Sequence, residues 1–113
     1  MKRQEQLHKA AENMDAAAYA AERLYLYDAP EPCWRDNITR HIYRSIEALP
    51  PVELDRAIAL IGVINCTKQD RLEVIDLQEW AAELREIAAA LRLLANEHYY
   101  NTRGRGAPRR IAA

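Results

Sequence analysis

The chain has 113 residues, of which 50% are apolar and 29% charged, and its formal net charge at pH 7 is −1. This length is typical of one domain with a sizeable core, and this composition excludes an intrinsically disordered chain. Two cysteines are too few for a disulfide-stapled secreted scaffold, and no apolar run is long enough to predict a transmembrane helix. The N-terminal residues lack the apolar segment of a signal peptide, so we expect a cytoplasmic protein with reduced thiols.

Charge and composition together predict how the chain is organised. Residues 1–100 contain 12 Lys and Arg against 17 Asp and Glu, whereas residues 101–113 contain four Arg and no acid. Only three Gly and five Pro interrupt a background rich in Ala, Leu and Glu, which favours helix. We therefore expect an all-α domain over residues 1–101 and a flexible, disordered, Arg-rich tail over residues 102–113.

The first two predicted helices are amphipathic. Helix 1 is predicted over residues 3–27, where the prolines after Asp28 end it, and helix 2 runs from Pro32 or Asp36 to Leu49. The buried stripe of helix 1 is predicted to be Leu7, Ala10, Met14, Ala17, Ala21 and Leu24. The buried stripe of helix 2 is predicted to be Trp34, Ile38, Ile42, Ile46 and Leu49.

Helix 3 is predicted over residues 52–65, after the Pro50–Pro51 pair, and has a wide apolar arc. A strand over residues 57–64 is the rival interpretation, although no second strand of similar quality is present to pair with it. We expect the other helices to cover Leu54, Ile58 and Ile61. A four-helix monomer is expected to leave Leu60, Val63 and Ile64 in water, so we predict that a second copy or a target covers them.

Two capping-box patterns precede the last helix. Thr67–Asp70 predicts a short helical turn, and Asp76–Glu79 predicts the start of helix 4, which extends to Tyr100. A heptad seam is predicted at Leu77, Trp80, Leu84, Ile87, Leu91, Leu94 and His98, beside a line of small residues at Ala81, Ala88 and Ala95. The four helices predict a small bundle. The apolar excess of helices 3 and 4 predicts a homodimer.

No arrangement of residues predicts catalysis or a cofactor. A di-iron bundle needs Glu-x-x-His, but Ile38 and Ala95 stand three residues before His41 and His98. A cysteine nucleophile needs a nearby base, and neither Cys33 nor Cys66 has one that the sequence places beside it. We therefore expect no metal, no cofactor and no enzyme activity.

Aromatic residues cluster between the first two helices. Tyr25, Tyr27 and Trp34 lie close together in sequence, and Tyr and Trp are over-represented in interface hot spots. These residues are candidates for a protein-interaction site. The equally good alternative is that they cap the end of the bundle, with their rings on apolar neighbours.

The basic tail is the candidate for nucleic-acid contact. Arg103, Arg105, Arg109 and Arg110 could neutralise phosphates, helped by Arg40 and Arg44 of helix 2. A helix-turn-helix at helices 2 and 3 is excluded chemically, because its second helix would present Ile, Leu and Val to base edges. The acidic body also repels a phosphate backbone. A solvated tail is the simpler interpretation.

A binding function fits these features best. Ile58, Ile61 and Asn65, with Leu54, Leu60 and Ile64 beside them, have the spacing of a helix that docks in a groove. In length, helical character and apparent dimer-forming surface, the chain resembles the small helical anti-activators of bacterial quorum sensing (QslA-like proteins). That resemblance implies a protein that sequesters a LuxR-type transcriptional activator and prevents its dimerisation and DNA binding. The alternatives are a phage-type inhibitor of a bacterial defence complex and a nucleic-acid-associated accessory protein.

Overall fold

The computed structural model describes residues 2–24 and 32–103, with side chains as far as residue 97. This part of the chain is all-α and contains four α-helices and two short 3₁₀ turns, at Ile46–Ala48 and Gln69–Arg71. The helices are α1 (Arg3–Arg23), α2 (Trp34–Ser45), α3 (Pro51–Cys66) and α4 (Val74–Arg103). The rival strand over residues 57–64 is wrong, because they lie within α3. No helix in the described ranges is long and apolar enough to cross a membrane.

Helices α1 and α4 pack along each other in opposite directions. Arg92 of α4 pairs with Asp15 of α1 at 2.7 Å. Arg85 lies two turns before Arg92 in α4 and pairs at 2.6 Å with Glu22, which lies two turns after Asp15 in α1. The inner side of α1 consists mainly of alanines, which allow a close approach between the helix backbones. These contacts make the α1–α4 pair the most extensive packing in the described structure.

The predicted stripes of α1 and α4 are confirmed. The buried residues of α1 are Leu7, Ala10, Ala11, Met14, Ala17, Ala18 and Ala21, with Leu24 partly buried after its end. Those of α4 are Leu77, Trp80, Ala81, Leu84, Ile87, Ala88, Leu91 and Ala95, with Leu94 partly buried. The side chain of His98, and residues 25–27 of the predicted helix 1, lie outside the described residues.

Helix α2 lies between α1 and α3. The Arg3 guanidinium donates to the carbonyl of Ala48 at 2.8 Å, and the Ser45 hydroxyl is 3.4 Å from the carbonyl of Ala10. These contacts join the start of α1 to the end of α2, so the two helices are antiparallel. The predicted buried face of α2 is confirmed, since Trp34, Ile38, Ile42 and Leu49 are buried and Ile46 is partly buried.

The connection between α3 and α4 contains the predicted helical turn, as the 3₁₀ turn Gln69–Arg71, but corrects both predicted starting residues. Thr67 does not start a helix, because its hydroxyl donates to the carbonyl of Val63 at 2.8 Å and it follows the last residue of α3. Helix α4 begins at Val74, two residues earlier than predicted. The Asp76 carboxylate accepts from the backbone N–H of Glu73 at 3.0 Å. Asp76 therefore lies in the first turn of α4 and bonds back to the residue before the helix, and it does not itself mark the helix boundary. At the other end α4 continues to Arg103 and so includes the first two residues of the expected tail.

Candidate protein-interaction surface

The inner side of α3 packs on the other helices and differs from the prediction. Its buried residues are Glu53, Ala57, Leu60, Ile61 and Ile64. The expectation that Leu60 and Ile64 are left in water is therefore wrong, and so is the expectation that other helices cover Ile58, whose side chain is 53% exposed. Val63 is 52% exposed, as expected of a monomer. Leu54 is partly buried against the core.

An ion pair with α4 accompanies this rotation of α3. The Arg56 guanidinium donates to both carboxylate oxygens of Glu83, at 2.8 and 2.9 Å, and to Glu86 at 3.0 Å. Residues four apart lie on the same side of a helix, so Leu60 follows Arg56 toward α4. Ile58 lies two residues from each and therefore points away from the core. The wide apolar arc of the sequence could not distinguish these two rotations.

The same ion pair perturbs the titration of its partners. Hydrogen bonding to Arg56 lowers the pKa of Glu83, and burial opposes this effect only partly. Hydrogen bonding to Glu83 correspondingly raises the pKa of Arg56 above its ordinary value. Both groups therefore remain charged at neutral pH, and the pair ties α3 to α4.

The opposite end of α3 is attached to the start of α2. The Arg35 guanidinium donates two hydrogen bonds, from Nε and Nη2, to the carbonyl of Thr67. The same guanidinium lies over the Trp34 ring, 4.6 Å from its centroid, and that ring stacks on Trp80 with centroids 6.0 Å apart. Helix α3 is thus held at both ends, and its remaining side faces solvent.

The outer α3 face consists of Ile58, Ala59, Gly62 and Val63, all exposed. None of them is charged, and the two small residues lie between the two β-branched ones on the helix surface. On the side toward α4, Ala59, Leu60 and Val63 line a shallow groove of about 420 Å³, which is bordered by the charged residues Asp55, Arg56 and Glu83. The result is an apolar strip with a groove beside it, which suits the apolar side of another helix.

Gly62 has no explanation within the monomer. A methyl group at this position would meet no atom within 4 Å, and the backbone is that of an ordinary α-helix. An exposed glycine in a helix costs about 1 kcal/mol relative to alanine. Close approach of a second helix is the contact that a glycine at this position permits. In the sequence, Gly62 is visible as a glycine within a segment whose apolar residues repeat at helical spacing. The residues predicted for the interface nevertheless included neither Gly62 nor Ala59.

Of the three aromatic candidates, Trp34 alone lies within the described residues. Trp34 is fully buried, which fits the alternative that it belongs to the core at the end of the helices. Tyr25 and Tyr27 lie outside the described residues. Trp34 therefore joins α2 to α4 through its stack on Trp80, and does not contribute exposed surface.

The remaining sequence candidates are placed as follows. Arg105, Arg109 and Arg110 lie outside the described residues, and Arg103 is the last residue of α4, with its side chain outside them. Cys33 and Cys66 are exposed and form no disulfide. Within the described ranges, no group of three or more His, Cys, Asp and Glu side chains is placed to hold a metal ion.

Comparison with known proteins adds no family. No family model, no curated protein and no solved structure matches the chain.

Proposed function

We propose that this protein is a non-catalytic, cytoplasmic regulator that binds other protein molecules through the outer α3 face. In the absence of a target, the same face pairs two copies of the chain into a homodimer. A target helix then competes for this apolar strip by mass action, so regulation requires no chemistry. The target itself is a protein with an apolar groove or helix face of similar width.

The observation that carries this proposal is the glycine at the centre of the exposed strip. Ile58 and Val63 provide apolar area on either side, and Gly62 with Ala59 provides the shallow centre that lets a helix backbone approach. Burial of apolar surface contributes about 25 cal/mol per Å² removed from water. A helix that packs on this strip would gain that free energy. None of the four residues of the outer α3 face is charged, so no charge on them would have to be removed from water.

The most specific form of the proposal is an anti-activator of quorum sensing. It is supported by the resemblance to QslA-like proteins in length, helical character and apolar surface. In this form, the outer α3 face occupies the surface through which a LuxR-type activator dimerises, and the activator then fails to bind DNA.

A reporter assay tests this form. The wild type would be co-expressed with individual LuxR-type activators and a reporter gene under each activator's promoter. Gly62→Gln places a long side chain in the centre of the strip, while Ala89→Gln adds the same side chain to an exposed position of α4. We expect the wild type and Ala89→Gln to repress one reporter at least ~10-fold, equivalent to about 1.4 kcal/mol of binding free energy, and Gly62→Gln to lose that repression.

The possible results test the binding surface and the anti-activator role separately. Repression that survives Gly62→Gln would contradict the outer α3 face as the binding surface. An absence of repression with every activator would contradict the anti-activator role, while homodimerisation through the same face is measured independently.

A further inference from the structure

A second surface, which shares no residue with the outer α3 face, runs between α1 and α2. It consists of two clefts along the same helix pair, of about 530 and 300 Å³. Arg23, Arg40 and His41 line the larger cleft, and Lys9, Arg44 and Glu47 line the smaller one. We call this surface the cationic groove.

The groove concentrates positive charge in an otherwise acidic region. Four of its charged residues are Lys or Arg and one is Glu, whereas residues 1–100 have a formal balance of −5. Arg40 and Arg44 form no ion pair with any residue that the structure describes, unlike Arg56, Arg85 and Arg92. Burial, followed by the charges of Arg40 and Arg44, lowers the pKa of His41. The two guanidiniums therefore repel a further positive charge between them.

The floor of the larger cleft is apolar. Ala16, Ala20, Leu24 and the Trp34 ring line it below the charged residues. Trp34 Nε1–H lies beneath this lining, buried and without an acceptor in the described part of the chain. A ligand with an apolar side chain matches this lining better than a bare anion does.

Spacing on α2 indicates the form of the ligand. Arg40 and Arg44 are one helical turn apart, about 6 Å along the axis. Carboxylates four residues apart on a partner helix have the same separation, and a guanidinium pairs with a carboxylate through two parallel hydrogen bonds. A nucleic acid fits less well, because its long run of phosphates would also meet the acidic remainder of the body.

We propose that the cationic groove binds an acidic, amphipathic segment of a partner protein, with carboxylates on Arg40 and Arg44 and an apolar side chain in the larger cleft. This surface is independent of the outer α3 face. A partner could therefore be attached at the groove while α3 is occupied by a second copy or by a target.

Fluorescence anisotropy with a defined probe tests this inference. The probe is a fluorescein-labelled helical peptide of about 15 residues, with Glu pairs at i and i+4 and Leu on the adjacent side. Replacing both arginines, Arg40→Glu with Arg44→Glu, should weaken binding at least ~10-fold. The matched control is Lys68→Glu with Arg71→Glu, which makes the same charge change at exposed positions between α3 and α4 and should leave binding within about 2-fold. Gly62→Gln should also leave it unchanged.

Other results would overturn the inference. Equal weakening by both double variants would show attraction to net charge and no groove. Failure of the peptide to bind folded wild type, or tighter binding of single-stranded or duplex DNA that Arg40→Glu with Arg44→Glu abolishes, would also contradict it. Circular dichroism of each variant excludes loss of the fold as the cause.

Discussion

Helix α3 and the α1–α4 pair use apolar residues in different ways. Helix α1 buries a stripe made mostly of alanine against α4, and three ion pairs between Asp15 or Glu22 and Arg85 or Arg92 border that contact. Helix α3 carries larger apolar side chains but buries only one side of them. Small side chains allow two backbones to approach closely, so little of the α1 stripe remains exposed.

The difference separates apolar residues that stabilise the fold from those that are available for binding. In the α1–α4 pair the buried stripes of the two helices pack on each other, although Tyr19, Val74, Ile75 and Leu93 lie outside the stripes and are exposed. On α3, Ile58 and Val63 remain half exposed although the helix is anchored at both ends. Their exposure therefore does not result from a loosely attached helix. The fold holds the outer α3 face in place as a surface.

The largest expected contrast lies within α3 itself. Ile61→Asp places a charge at a position that is 8% exposed, and should destabilise the protein by about 3 kcal/mol or more. Ile58→Asp puts the same charge in water and should change the free energy of unfolding of the monomer by less than about 0.5 kcal/mol. Urea denaturation at low protein concentration measures both. Equal destabilisation would show that Ile58 belongs to the core.

A smaller contrast compares the two regions directly. Ala18 is fully buried and lies three or four residues from Asp15 and Glu22, on the side of α1 that meets α4. Ala18→Leu should therefore overpack the α1–α4 contact and cost about 1–3 kcal/mol. Ala59→Leu adds the same atoms to the exposed strip of α3 and should cost less than about 0.5 kcal/mol. Thermal unfolding that ranks the two in the opposite order would contradict the comparison.

The smallest expected effect concerns the attachment of α3 to α4. Arg56→Met removes the partner of Glu83 and should destabilise the protein by about 0.5–1 kcal/mol at neutral pH, as partly exposed ion pairs do. The folded-state pKa of Glu83 is lowered, so this stabilisation is present above the ordinary carboxyl pKa and is lost as pH falls through the folded value.

Denaturation across the acid range measures this linkage. The difference between the wild type and Arg56→Met should shrink as the pH falls below about 4, because protonated Glu83 no longer pairs with Arg56. A difference that stays constant down to pH values below that range would mean that Arg56 acts through packing alone.

The sequence predicted the four helices and most of the core because these depend on periodicity and on prolines. The seam from Leu77 to Leu91 and the stripe from Leu7 to Ala21 repeat at helical spacing, so a single rotation buries each of them. The Pro50–Pro51 pair fixed the start of α3, which begins at Pro51.

Other features depended on contacts between distant residues. The rotation of α3 depends on its packing against α2 and α4, together with the pairing of Arg56 with Glu83, 27 residues away, and no local pattern of apolar residues contains these contacts. For this reason Ile58 and Leu60 exchanged their expected positions. Asp76 was predicted to be the residue before helix 4, whereas it lies in the first turn of α4. Asp, like Glu, can accept a hydrogen bond from the backbone N–H three residues earlier, as Asp76 does from Glu73, so the motif alone did not fix the first residue of the helix.

The solution mass of the wild type, Gly62→Gln and Ala89→Gln tests the central claim most directly. Sedimentation over a concentration series should give a dimer for the wild type and Ala89→Gln but a monomer for Gly62→Gln. At dilutions where all three are monomeric, Gly62→Gln should be more stable than the wild type by about 0.5–1 kcal/mol, because it replaces an exposed helical glycine. A wild type that is monomeric throughout, or a Gly62→Gln variant that still dimerises, would contradict the outer α3 face as the interface.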